Sequence, residues 1–222
     1  MPTFVPLNYT APESVTELRD RLESFYAMVD RRRTVREFSD KPVPRDVIET
    51  ALRAANTAPS GANLQPWHFV VISGAEAKSA IRRAAEAEER EFYKHRASAE
   101  WLKALEPLGT DSNKPFLTTA PYLIAVFVQK YGTLADGTKV KHYYPVESTG
   151  LATGLLITAL HIAGLVCLTH TPSPMSFLNG ILNRPRNERP FLLLVTGYPS
   201  DDAEVPAIER KQLDEFVSFV ER

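Results

Sequence analysis

Four guanidinium groups fall within six residues in Arg31-Arg32-Arg33-Thr34-Val35-Arg36, and Arg210-Lys211 adds a basic pair far along the chain. Guanidinium forks match phosphate oxygens in pairs, so one bound phosphate would offset the repulsion of holding several arginines together. A solvated helix end is the other reading of such a run, because basic residues there complement the helix dipole. A second group is Ala58-Pro59-Ser60-Gly61-Ala62-Asn63-Leu64-Gln65-Pro66-Trp67. Its small residues let the backbone approach a flat ligand, leaving main-chain N–H groups, the Ser60 hydroxyl and the amides of Asn63 and Gln65 to bond the ligand edge. An ordinary loop explains the Pro and Gly but does not require the Asn, Gln and Trp. The third group is Glu89 and Tyr93, four apart on one helix face, with Lys114 following in TDSNKPF. The surrounding AEAEEREFYKH could supply a Glu four residues before a Tyr by composition alone.

Other chemistries find little support. No G-x-G-x-x-G or P-loop occurs, so no nicotinamide dinucleotide or nucleotide fingerprint is present. No G-x-S-x-G elbow points to a hydrolase. The five histidines have no metal-ligand spacing with cysteine or carboxylate, which leaves no metal case, and His161 reads as a core residue of an apolar helix. Cys167 is the only cysteine and lies in the apolar run AGLVCL, so no intramolecular disulfide can form and a buried thiol in a reducing cytoplasm is expected. The stretch Gly154 to Val166 is broken by His161 and is shorter than the ~20 residues of a membrane span; the start of the chain lacks a signal pattern. A net charge of −1, from 26 basic and 27 acidic residues, argues against nucleic acid and membrane partners.

These residues need elements to hold them. With 222 residues, 44% hydrophobic, one generous domain is expected. Ser14-Val-Thr-Glu17 has the form of a capping box, and Leu18, Leu22, Phe25 and Val29 repeat at helical spacing after it. A second helix is expected from Pro44 to Asn56, a strand from Trp67 to Ile72 and a charged helix from 75 to about 96. Residues 97 to 116 have few periodic apolar positions and read as a mobile cover. Strands follow at Tyr122 to Val128, Leu165 to Thr169 and Phe191 to Gly197, with a turn at Leu134 to Lys139, a very apolar helix at 145 to 163, and a short helix from Pro174 to Leu182 capped by Ser173. The pattern implies one α+β domain over 1–222 with an N-terminal helix and a C-terminal arm from about 200, where Phe216, Phe219 and Val220 form a stripe at helical spacing.

Together, R-R-T-V-R-x-F from Arg32, A-P-S-G-A-N-L-Q-P-W-H-F-V-V from Ala58 and A-G-L-V-x-L-T-H-T-P from Ala163 resemble the flavin-dependent nitroreductase superfamily over about Asp30 to Lys211. The resemblance implies FMN and a three-layer α+β sandwich around a mostly antiparallel sheet. It also implies a domain-swapped homodimer with FMN in clefts between subunits. It assigns Arg32, Arg33, Thr34, Arg36 and Arg210 to the phosphate and ribityl chain, Pro59, Ser60 and Gly61 to the isoalloxazine, and Thr169 and Thr171 to its reactive edge.

Glu-x-x-x-Tyr, a Lys twenty-one residues after the Tyr, Thr119-Ala120-Pro121 and Lys141-His142-Tyr143-Tyr144 are similar to the iodotyrosine deiodinase subgroup, and the chain looks like a soluble bacterial relative lacking an N-terminal anchor. That resemblance implies a lid of Glu89, Tyr93 and Lys114 gripping the ammonium and carboxylate of a halotyrosine, with the Ala62 N–H on the phenolate oxygen. It further implies that Thr171 acts at flavin N5, favouring one-electron steps. Asn63 stands where the animal enzymes have His, and Asn113 replaces an apolar residue beside the lid lysine. The implied reaction is reductive dehalogenation, 3-iodotyrosine to tyrosine plus halide, with an unidentified electron donor. A general nitroreductase or quinone reductase would share the FMN site without needing the lid, and a flavin-destroying enzyme of the same superfamily is a further alternative. An anion or nucleic-acid binder using Arg31 to Arg36 lacks the aromatic stacking such proteins use.

Overall fold

The computed structural model describes residues 2–221, which fall into two units divided between Arg32 and Arg33. The first is built on one helix, α1 (Val15–Asp30). The Ser14 hydroxyl accepts the Glu17 N–H at 3.1 Å, so the expected N-cap is present. The apolar stripe of α1 is open: none of its residues is buried, and Leu22 is 63% exposed.

In the second unit, β1 (Trp67–Ile72), β2 (Tyr122–Gln129), β5 (Val166–His170) and β6 (Glu188–Gly197) form a sheet in the order β1-β2-β6-β5, every neighbouring pair antiparallel. A hairpin of β3 (Tyr131–Thr133) and β4 (Lys139–Lys141) turns at Asp136-Gly137, where Gly137 takes φ of 86°. The helices are α2 (Arg45–Ala55), α3 (Ala75–Glu91), α4 (Ala99–Leu105), α5 (Phe116–Thr119), α6 (Pro145–Ile162) and α7 (Phe177–Ile181).

Alternation along β2 builds the three layers. Leu123, Ala125 and Phe127 face one side with Leu193 and Val195 of β6, and are covered by Ile81 and Ala85 of α3, Phe116 and Leu117 of α5 and Leu178 of α7. Ile124 and Val126 face the other side with Leu192 and Leu194, under Ile48, Ala51 and Ala55 of α2 and Leu156 and Leu160 of α6. Both faces of the sheet are covered, so β2 is apolar and buried from Leu123 to Val128. Buried hydroxyls on α6 bond backward, Thr149 Oγ1 to the Pro145 carbonyl and Thr153 Oγ1 to the Thr149 carbonyl, both at 2.7 Å. The opposite side of α6 leaves Leu151 and Ile162 more than half exposed.

Several expectations are corrected. The charged helix is α-helical only to Glu91; Phe92–Arg96 continue as a π turn, closed by the Ala97 N–H bonding the Phe92 carbonyl at 2.8 Å. Residues 97 to 116 hold α4 and a short 3₁₀ turn, Glu106–Leu108, although neither buries a residue. Ser173 caps no helix: α7 begins only at Phe177, and its first turn is closed by the Leu178 N–H on the Met175 carbonyl. Strand β6 starts at Glu188, three residues early, because Pro190 lies beside a bulge and beyond the reach of β5, so its missing N–H breaks no ladder on that side. The apolar stripe of the C-terminal arm is not helical. Its only regular piece among the described residues is a 3₁₀ turn, Leu213–Glu215, and Phe219 is 80% exposed. His161 is half-buried rather than a full core residue, whereas Cys167 is buried.

Candidate active site

Residues 34 to 39 run as a strap along the sheet edge. Thr34 forms a parallel bridge with Cys167 of β5, the Val35 N–H bonds the Cys167 carbonyl at 3.2 Å, and the Ser39 N–H bonds the Tyr198 carbonyl at 3.0 Å. Val35 and Phe38 are buried, which anchors the strap and leaves Arg33, Thr34 and Arg36 half-exposed. At the end of β5, Thr169 and Thr171 are exposed on either side of buried His170. The C-terminal segment crosses the strap: the Glu204 N–H bonds Glu37 Oε2 at 2.7 Å and the Arg33 guanidinium donates to the Pro206 carbonyl. Arg210 is four residues beyond Pro206, within roughly 14 Å of it along even a fully extended chain.

The lid residues meet. Lys114 Nζ lies 3.3 Å from Glu89 Oε2, with the two side chains only 4% and 14% exposed. The same ammonium donates to Thr110 Oγ1 at 3.1 Å and to the Asp111 carbonyl, and sits 5.9 Å from the centre of the Tyr93 ring. Tyr93, carried on the π turn, donates its phenol to the Thr110 carbonyl at 3.1 Å. Burial raises the Tyr93 pKa, and Glu89 and Asp111 add to the effect, so the phenol keeps its proton as a donor.

Three side chains of α3 hold this arrangement through contacts to residues far along the chain. The Lys114 N–H donates to Glu86 Oε1 at 2.9 Å, Arg82 bonds Asn113 Oδ1 and Thr118 Oγ1 at 3.0 Å each, and Lys78 Nζ reaches the carbonyls of Thr118 and Ala120 at the end of α5. Burial pushes the Glu86 carboxyl up, but the Lys114 N–H and the Arg82 guanidinium outweigh it and hold its pKa below the usual value. Arg82, Glu86 and Glu89 recur at helical spacing on α3, which was the signal available in the sequence. Asn113, a departure noted above, thereby has a partner on α3.

The loop before β1 is strained. Ala62, Asn63 and Gln65 have φ of 51°, 53° and 47°. The Gln65 N–H bonds Ser60 Oγ at 2.9 Å and the Asn63 N–H bonds the Ser60 carbonyl at 3.0 Å, while the exposed Ala62 N–H takes no part in these bonds. A Cβ at Gly61 would lie 2.6 Å from the Tyr143 carbonyl oxygen, so glycine lets the loop lie against the K-H-Y-Y segment. This loop leads into β1, while the strap runs along the outside of β5 at the opposite edge, β1 and β5 being three strand spacings or roughly 14 Å apart. The structure thus brings Thr34, Arg36, Thr169, Thr171 and the lid triad to one part of the second unit and leaves Pro59, Ser60, Gly61 and Ala62 at the other. Arg32 belongs to the first unit.

Among the described residues no group of three His, Cys, Asp or Glu is placed to hold a metal ion, and no helix is long and apolar enough to cross a membrane.

With this sheet, strap and strained loop, the chain belongs to the nitroreductase family, whose description matches residues 29–198. Among its relatives is the iodotyrosine deiodinase of Haliscomenobacter hydrossis, 54% identical over 210 residues that span 95% of this chain and 94% of that protein. The iodotyrosine deiodinase of Danio rerio is 44% identical over 98% of this chain and 72% of its own length. A crystal structure of oxidized iodotyrosine deiodinase bound to FMN and 3-iodo-L-tyrosine superposes with a TM-score of 0.74 at 32% identity, covering 88% of this chain and all of that one. An FMN-dependent nitroreductase from Clostridium difficile shares the fold, with a TM-score of 0.63 at 17% identity.

Proposed function

We propose that this chain is an FMN-dependent reductive dehalogenase that converts 3-iodotyrosine to tyrosine and iodide. The observation that carries this reading is the enclosed Glu89–Lys114 pair beside Tyr93, with Lys114 close enough to His170 of β5 to act on it electrostatically. A general reductase of flat molecules has no use for a buried ammonium beside a half-buried carboxylate and phenol that together match an amino-acid zwitterion. In the reaction the carbon–iodine bond breaks, iodide leaves, and the ring carbon takes a hydrogen. Two electrons and one proton are consumed per turnover, the electrons being supplied by reduced FMN.

The donor set suits FMN. Arg33, Arg36 and Arg210 would hold the phosphate, Thr34 would meet the ribityl chain, and Thr169 and Thr171, exposed at the end of β5, would meet the reactive edge. The Ala62 N–H would bond the phenolate oxygen of the substrate. Glu89 then takes the substrate ammonium, while Lys114 and Tyr93 take its carboxylate. In doing so they exchange the internal ion pair for two charged contacts to ligand, and closure excludes water from them. The chain acts in the cytoplasm in this reading, which suits a lone buried cysteine.

Because Pro59, Ser60, Gly61 and Ala62 sit at the edge opposite the strap, the cleft is completed by a second copy of the chain. The exposed apolar residues Leu18 and Leu22, Leu151 and Ile162, and Phe216 and Phe219 supply surface for such an interface. The protein is expected to be a dimer at micromolar concentration by light scattering. A monomer that retains FMN would contradict the shared cleft.

Thr171→Ala is expected to lower dehalogenation while leaving two-electron reduction of nitroaromatics intact or raised. Equal loss of both activities would assign the residue to packing. The direct test of the function is release of tyrosine and iodide from 3-iodotyrosine by the reduced, FMN-loaded protein.

A further inference from the structure

His170 lies between the two exposed threonines of the β5 end, is itself 6% exposed, and has an Nε2 with no hydrogen-bond partner among the described residues. Strand alternation explains its direction: Thr169 and Thr171 face out, and His170 turns toward the layer that holds α5. There its ring meets Phe116 edge to face, with centroids 5.5 Å apart and planes at 81°. Phe116 begins α5, two residues after the lid lysine. One side chain therefore joins the strand end assigned to the flavin with the base of the lid.

An apolar residue would fill this place more cheaply, since an unpaired buried polar atom lowers stability and such atoms are rare in folded proteins. Packing alone therefore does not account for an imidazole here. Its electrostatic surroundings exclude a charged role: burial, then the nearby Lys114 and Arg36 charges, push its pKa down to about 3. A neutral imidazole adds no third cation beside those two, and it offers one donor and one acceptor nitrogen. In the present arrangement Lys114 is occupied by Glu89, Thr110 and Asp111. When a substrate carboxylate draws the ammonium from these partners, the polar surroundings of His170 change.

We propose that His170 is a positioning residue that couples the lid to the β5 end, its packing on Phe116 placing Lys114 over the site and its free Nε2 gaining a polar partner, a water or a group of the closed site, when the lid shuts on a halotyrosine. The proposal rests on the halotyrosine reading above. Its ligand is the same, but the residue is outside the triad that grips it.

The test uses FMN-loaded protein carrying ¹⁵N-labelled histidine, with and without 3-iodotyrosine. The His170 Nε2 resonance, assigned by its loss in His170→Gln, is expected to move on binding, and an unmoved resonance overturns the proposal. His170→Phe keeps the ring packing and removes the orphaned nitrogen. It is expected to be at least as heat-stable as wild type and to bind FMN within about twofold, yet to bind 3-iodotyrosine about tenfold or more weakly, as expected when a hydrogen bond made only in the closed state is lost. Hydrogen exchange in residues 97 to 116 should then stay fast with ligand, and His170→Gln, which returns a polar group, should recover part of the affinity. Wild-type affinity and protection in His170→Phe would overturn the proposal, and if that variant fails to fold, the wild-type resonance decides. Wild type that holds FMN but gives no fluorescence response to 3-iodotyrosine overturns the halotyrosine reading, and this inference with it. A normal wild-type response with an unmoved Nε2 overturns this inference alone.

Discussion

Replacing Glu89 with Gln or Lys114 with Ala is expected to weaken 3-iodotyrosine binding by well over tenfold while leaving FMN in place. Each change removes one partner of an ion pair that is almost wholly enclosed, with Lys114 4% and Glu89 14% exposed at 3.3 Å. Truncating one member of a buried, hydrogen-bonded charge pair costs about 2 to 5 kcal/mol, much of it from the charge left behind. The substrate zwitterion meets the same penalty, because its ammonium or its carboxylate then enters the closed site unmatched. A halophenol without the amino-acid group carries neither charge. It should bind wild type poorly and be nearly indifferent to both substitutions, and flavin fluorescence quenching compares the affinities of both ligands for all three proteins. Residues 97 to 116 should become protected from hydrogen exchange only when 3-iodotyrosine is present, since α4 and the turn after it bury no residue of their own. A halophenol that binds wild type as tightly as 3-iodotyrosine would leave the general nitroreductase reading in its place.

Replacing Arg33 and Arg36 together with Ala is expected to yield folded protein that is poor in FMN. The strap, which carries Arg36 and begins just after Arg33, is anchored by the buried Val35 and Phe38 and by backbone bonds to Cys167 and Tyr198, none of which the substitutions remove. The fold should therefore survive. Each charge-assisted hydrogen bond to a phosphate is worth roughly 1.5 to 3 kcal/mol, so the loss of two should weaken FMN binding by well over tenfold. Arg33 also ties the strap to the Pro206 carbonyl, so Arg33→Ala should loosen the C-terminal segment where Arg36→Ala does not. Stoichiometric FMN in the double variant would move the phosphate site elsewhere.

Elements driven by a continuous or periodic apolar pattern were legible in the sequence. The run from Tyr122 reads as a buried strand because both of its faces are covered, and α2 reads as a helix because Val47, Ile48, Leu52 and Ala55 recur at helical spacing, although the structure buries Ile48, Ala51 and Ala55 and leaves Val47 and Leu52 only partly covered. Helix α6 was also legible, but its uniform apolarity hid a division of labour: one side packs on the sheet and the other leaves Leu151 and Ile162 exposed. Glu89, Tyr93 and Lys114 could be named by their spacing and resemblance, and the structure places them in one cluster. The features that support the cluster join positions far apart in sequence. Glu86 meets the Lys114 N–H across 28 residues, and Arg82 meets Asn113 across 31. The π turn at Phe92–Arg96 escapes propensity because its residues are ordinary helix formers with one bond shifted. His170 stands one residue past the strand expected at Leu165 to Thr169 and has no metal-ligand spacing, and only its missing partner sets it apart. The apolar stripe at the chain end shows the opposite failure, since a helical period with no surface of its own chain to pack on does not fold as a helix.

The most direct measurement is a single anaerobic turnover. FMN-loaded protein is reduced chemically, mixed with one equivalent of 3-iodotyrosine, and followed by flavin absorbance, released tyrosine and iodide. Reoxidation of the flavin should accompany tyrosine and iodide in equal amounts, one of each per flavin. Intact 3-iodotyrosine beside flavin that stays reduced, in protein that still reduces a nitroaromatic, would contradict dehalogenation and leave a nitroreductase.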